Sequence, residues 1–93
     1  MRNRPLNYRI RVYGKVQGVF FRANAVRVAT DLGITGWVKN EVDGSVQITA
    51  EGQEEQMQQL LSWCEKGPAY ASVNRVDFSE NDLENFKSFR IIH

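Results

Sequence analysis

Histidine and cysteine are nearly absent from this chain. There is one of each: His93 at the end of the sequence and Cys64 within an apolar pattern. That excludes an internal disulfide, a Cys/His zinc framework and a Ser-His-Asp triad with a mid-chain base. An excess of one charge is also lacking. Twelve Lys and Arg stand against 11 Asp and Glu, a formal net charge of +1, so there is no electrostatic case for a nucleic-acid binder. No apolar run approaches the ~20 residues of a membrane span. None after Met1 has the character of a secretion signal, and with a single cysteine the expectation is a cytoplasmic protein. The phosphate-binding patterns G-x-x-x-x-G-K-[ST] and G-x-G-x-x-G are missing. Cys64 is not followed by an Arg at the spacing a cysteine phosphatase needs. The acidic residues are scattered and none falls between Gly14 and Arg22, so no carboxylate metal site is expected.

What is present fits one soluble domain. Hydrophobic residues make up 42% and charged residues 25% of 93 positions, ordinary values for a globular chain with a single core. Residues 1–6 read as a short flexible arm and 7–93 as the domain. Tyr8, Ile10 and Val12 alternate with Arg9, Arg11 and Tyr13, the period of a half-buried strand. From Phe21 the period becomes helical, with Ala25, Val28, Ala29 and Leu32 on one stripe. Gly33 fits a cap and Ile34 the apolar residue that follows it. A second strand is expected over about Thr35–Asn40, a hairpin turn at Val42-Asp43-Gly44, and a third strand carrying Val46, Ile48 and Ala50. A second helix is expected from about Gln53 to Lys66, with Met57, Leu60, Leu61 and Cys64 inward and Gly67-Pro68 as its stop. A fourth strand over about Ser72–Phe78, a polar loop Ser79–Asn85 and a final strand Phe86–Ile92 complete the chain. The order predicts an α+β fold: a ferredoxin-like split β-α-β sandwich, with an antiparallel four- to five-stranded sheet and two helices on one face.

The densest signal lies between the first strand and the first helix: Gly14-Lys15-Val16-Gln17-Gly18-Val19-Phe20-Phe21-Arg22. Two glycines bracket a loop of free backbone N–H groups, and a guanidinium opens the helix. A phosphate-sized anion needs converging N–H donors, a positive helix end and a fork-shaped cation. An Arg in a first turn sits at the wrong end of the helix dipole unless an anion is near. With no side-chain nucleophile or metal framework evident, water is the expected nucleophile, and catalysis falls to positioning and charge stabilisation. Phosphoryl transfer from a weakly basic carboxylate leaving group suits that logic. A neutral amide that accepts from and donates to water could orient the attack.

The two longest motifs resemble those of the acylphosphatase family. Gly14–Arg22 matches the family pattern G-x-V-Q-G-V-x-F-R. Gly36-Trp37-Val38-Lys39-Asn40-Glu41-Val42-Asp43-Gly44-Ser45-Val46 matches G-W-V-x-N-x-x-D-G-x-V. The likeness spans about residues 7–92. It implies hydrolysis of the carboxyl-phosphate bond of small-molecule acyl phosphates to carboxylate and inorganic phosphate, without metal or organic cofactor. Carried onto this chain, it implies that Arg22 binds the phosphoryl group and Asn40 orients water. The backbone N–H groups of Gln17, Gly18, Val19, Phe20 and Phe21 form the cradle that Gly14 helps to shape. Where many relatives carry Thr after the Asn, this chain has Glu41, expected to face solvent. The expected partner is the substrate alone, with no nucleic acid, no membrane and a monomeric enzyme. Two rivals follow from the same fold: a non-catalytic anion or carbamoyl-phosphate binding module, and an RNA binder using strand aromatics. The second lacks both the charge and the Lys/Arg-Gly-Phe/Tyr pattern.

Overall fold

The computed structural model describes residues 4–93. Its order is β1 (Leu6–Lys15), α1 (Phe21–Asp31), β2 (Thr35–Asn40), β3 (Val46–Gly52), α2 (Glu54–Lys66), β4 (Ser72–Asn81) and β5 (Phe89–Ile91). The strands form one sheet in the order β4-β1-β3-β2-β5. Of the expected arm, residues 1–3 lie outside the described residues. Leu6, its last residue, is buried and opens β1.

Alternation sets the two faces. Val38, Ile48 and Ile10 stand in register across β2, β3 and β1, and each is fully buried. Both helices cover this face. α1 contributes Phe21, Ala25 and Ala29, and α2 contributes Met57, Leu60, Leu61 and Cys64. Burying each large aliphatic side chain contributes about 1.5–3 kcal/mol, so the layer is held chiefly by this shared stripe. α1 stops as its sequence requires. Gly33 takes φ 76°, its N–H donates to the carbonyl of Thr30 at 3.0 Å, and that of Ile34 donates to Ala29 at 2.8 Å. That is the paired closure of a helix ending in a left-handed residue.

Three features depart from the sequence reading. The first three pairings are antiparallel, but β5 runs parallel to β2, so the sheet is mixed rather than wholly antiparallel. β4 continues three residues past Phe78, because β1 offers Asn7, Tyr8 and Arg9 as partners for Asn81, Glu80 and Ser79. The final strand has three residues instead of seven.

The connection from β4 to β5 is strapped to the sheet by one carboxylate. Glu51 is 6% exposed. It accepts hydrogen bonds from Asn7 Nδ2 at 2.8 Å, the Glu84 N–H at 2.5 Å and the Phe86 N–H at 3.1 Å. Desolvation is the largest single influence and opposes its ionisation. The donors from Glu84, Asn7, Phe86 and Asn85 together outweigh it and hold the carboxyl below its ordinary range. Among the described residues no helix is long and apolar enough to cross a membrane.

Candidate anion site at the start of the first helix

The site forms where β1 ends, α1 begins and β2 finishes. Gly14 shapes the exit from β1. The register with β4 shifts between Tyr13 and Gly14, where φ is 128°. A Cβ there would lie 2.2 Å from the Ser72 carbonyl oxygen, so only glycine allows this approach. The loop then turns through Gly18 at φ 73° and Phe20 at φ 65°. The second is a left-handed backbone in a bulky residue, which costs on the order of 1–3 kcal/mol.

Phe20 is also the N-cap of α1. It provides no side-chain cap, and the first turn holds no acidic residue. Among the described residues, the N–H groups of Gln17 through Ala23 have no hydrogen-bond acceptor. Helix starts ordinarily satisfy such donors with a Ser, Thr, Asp or Asn cap. Here they are left without an acceptor, at the positive end of the helix. Phe21 holds this turn in place: it is 1% exposed and its ring lies 5.0 Å from that of Trp63 on α2. Val19 is buried as well, so its backbone borders the loop while its side chain enters the core.

Arg22 follows. It is half-buried, and among the described residues no ion pair or hydrogen bond engages its guanidinium. Asn40 ends β2, two residues beyond Val38, and so stands on the helix-bearing face, in register with Val46. Its Oδ1 is buried without a hydrogen-bond partner. Buried polar atoms are nearly always satisfied, so an open acceptor at this point is notable. Arg22, Asn40, Gly18, Phe20 and Phe21 line one cavity of about 280 Å³. Val16, Ala23 and Ile91 complete its wall. Val16 lies within the motif and Ala23 directly after it; nothing in the sequence placed Ile91 there, because β5 reaches the site through its parallel pairing with β2.

Gln17 does not line the cavity. Its Nε2 donates to the Glu41 carbonyl at 2.8 Å and to the Ser45 carbonyl at 2.9 Å, tying the loop to the β2–β3 hairpin directly beyond Asn40. The hairpin is itself closed. The Glu41 N–H donates to Ser45 O at 2.8 Å. Asp43 Oδ1 accepts from the Ser45 hydroxyl at 2.6 Å and its N–H at 2.9 Å. Those two bonds, with Arg11 beside them, keep the Asp43 carboxyl below its ordinary range. Glu41 is not the solvated residue expected. Its side chain is 18% exposed and lies 4.0 Å from Lys39 Nζ, a cation that offsets its charge. Lys15 is exposed.

Such an arrangement suits an anion with a reactive water beside it. Known proteins share much of this sequence and its fold. The acylphosphatase family model matches residues 8–91. An acylphosphatase of Methylococcus capsulatus is 51% identical over 74% of this chain and 75% of its own length. One from Thermoplasma volcanium is 42% identical over 89% of this chain and 92% of its own. The crystal structure of the Bacillus subtilis acylphosphatase superposes with a TM-score of 0.92 at 38% identity, covering 95% of this chain and 99% of that one. The family model, these relatives and the shared fold cover most of the length, and the chain belongs to the acylphosphatase family.

Proposed function

We propose that this enzyme hydrolyses the carboxyl-phosphate bond of acyl phosphates without a metal ion, with Arg22 and the Gln17–Phe21 amides holding the phosphoryl group and Asn40 orienting water. The observation that carries this reading is one cavity lined by Arg22, by Asn40 and by the uncapped start of α1, where among the described residues the guanidinium and Asn40 Oδ1 have no hydrogen-bond partner. Water adds to phosphorus as the bond to the acyl oxygen breaks. The bonding pair leaves on the carboxylate, which needs no protonation to depart, and the water's protons pass to the product phosphate and solvent. Arg22 and the amides meet the charge spread over the equatorial oxygens. Asn40 Oδ1 accepts from the attacking water and fixes its line of approach. The same reading has the enzyme act as a monomer in the cytoplasm, which light scattering and cell fractionation test.

The decisive assay follows acetyl phosphate hydrolysis at neutral pH with EDTA present. Turnover should be insensitive to the chelator. Arg22→Ala should lose both turnover and phosphate binding. Asn40→Ala should lose 100-fold or more in kcat, in line with the about 2.7–4 kcal/mol of one transition-state hydrogen bond, while still binding phosphate. A folded wild type that binds phosphate or carbamoyl phosphate tightly without turnover would instead make the domain a binding module.

A further inference from the structure

The lining of the cavity is chemically mixed. Among the described residues, Arg22 and Asn40 are its only polar side chains. Under the function proposed above, both are occupied, one by the phosphoryl group and the other by water. The rest is Val16, Phe20, Phe21, Ala23 and Ile91, with the bare backbone of Gly18. No lining side chain remains to hydrogen-bond or neutralise a second polar group on the substrate. Phe20 adds an independent observation. It is 70% exposed and held at φ 65°. Stability favours neither a large solvated ring nor a left-handed bulky residue. A helix N-cap position that would ordinarily carry Ser or Asp instead places an aromatic residue at the cavity wall.

We infer that Phe20 and Ile91 form an apolar acyl-group subsite, so that the preferred substrates are acyl phosphates with an uncharged hydrocarbon or aromatic acyl group rather than those with a second anionic or hydrogen-bonding group. The inference rests on the phosphoryl-site reading above. Apolar contact with a non-reacting group acts equally in ground and transition states, so it reads out in KM.

The test compares benzoyl, acetyl and succinyl phosphate with wild type, Phe20→Asn and Ile91→Ser. Asn tolerates the left-handed backbone, so the first variant removes the ring and keeps the turn; any capping of the cradle amides by the new side chain affects all three substrates alike. Circular dichroism and a melt establish folding of both. The quantity read is the ratio of benzoyl to acetyl phosphate KM, in which any effect common to both substrates cancels. Wild type should bind benzoyl phosphate at least about tenfold more tightly than acetyl phosphate, and each variant should lose most of that preference, as expected for removal of an apolar pocket wall. Succinyl phosphate should show no such gain over acetyl phosphate. An unchanged ratio in both variants, or succinyl phosphate bound as tightly as benzoyl phosphate, overturns the subsite and leaves the phosphoryl chemistry standing. Failure of wild type to hydrolyse even acetyl phosphate overturns the proposed function and this inference with it.

Discussion

At the scale of the residue, three neighbours at the start of α1 divide the work by direction alone. Phe21 faces the core against Trp63, Arg22 turns into the cavity, and Phe20 remains outside with a left-handed backbone. Arg22 is suggested by residue type and local setting, a cation at the positive end of a helix; Asn40 is reached only through the family resemblance, because an amide at a strand end before a turn ordinarily serves the turn. Ile91 is not legible, since one aliphatic residue near a chain end looks like any other. Cys64 illustrates the opposite case, a reactive residue type with no reactive setting. Burial, and secondarily the neighbouring Glu65, pushes its thiol up to about 12. Ellman's reagent at pH 8 should therefore leave the native thiol untouched, and denaturant should release one equivalent at the rate of a free thiol. Rapid labelling of the folded protein would contradict the assignment. The sign carries to stability: the unfolded thiol ionises near its ordinary 9.0 while the folded one keeps its proton, so stability erodes as pH rises from there.

At the scale of the element, side chains reach across the sequence to fix one segment against another, and local pattern cannot reveal such bonds. Gln17 grips two carbonyls of a hairpin that begins 24 residues away. Its backbone N–H belongs to the proposed cradle, while its side chain braces the loop against the hairpin beyond Asn40. Replacing it with Ala should lower kcat at least about tenfold, since small misplacements of positioned groups are costly, with a smaller loss in phosphate affinity. Gln17→Glu should be worse despite its equal size, because a carboxylate has no donor for two carbonyls. Equal kcat in wild type and both variants would show that the brace is dispensable.

Glu51 does for the β4–β5 connection what Gln17 does for the loop. Its folded carboxyl titrates below the ordinary value, so its contribution is present at neutral pH and is lost as pH falls through that lowered pKa. Glu51→Gln places an NH₂ group against backbone donors and should cost about 1–3 kcal/mol at pH 7. Urea titrations should show the gap between variant and wild type closing toward pH 3. The strap also explains a misplaced boundary. Ser79, Glu80 and Asn81 look like loop, yet they pair with β1, and the connection proper is held afterwards by Glu51.

At the scale of the whole molecule, the sandwich and its two-helix layer follow from periodicity, because each element buries one stripe against a common face. Pairing direction does not follow. Nothing in Phe89–Ile91 says that it lies parallel beside Thr35–Asn40; that depends on where the strapped connection delivers it. The arrangement gathers the site at one end of the sheet, from segments near both ends of the chain and its middle.

The uncapped first turn of α1 carries a consequence for folding itself. Under the proposed function, inorganic phosphate would supply the acceptors that the helix start lacks, so that product and helix cap would be the same molecule. Native-state stability is then a function of what is dissolved around the protein. At phosphate a hundredfold above its dissociation constant, mass action adds about 2.7 kcal/mol. Thermal melts should shift upward in phosphate relative to chloride at equal ionic strength, and Arg22→Ala should abolish the shift. In a cell, the fraction of this enzyme that is folded would track the phosphate pool that its own turnover feeds.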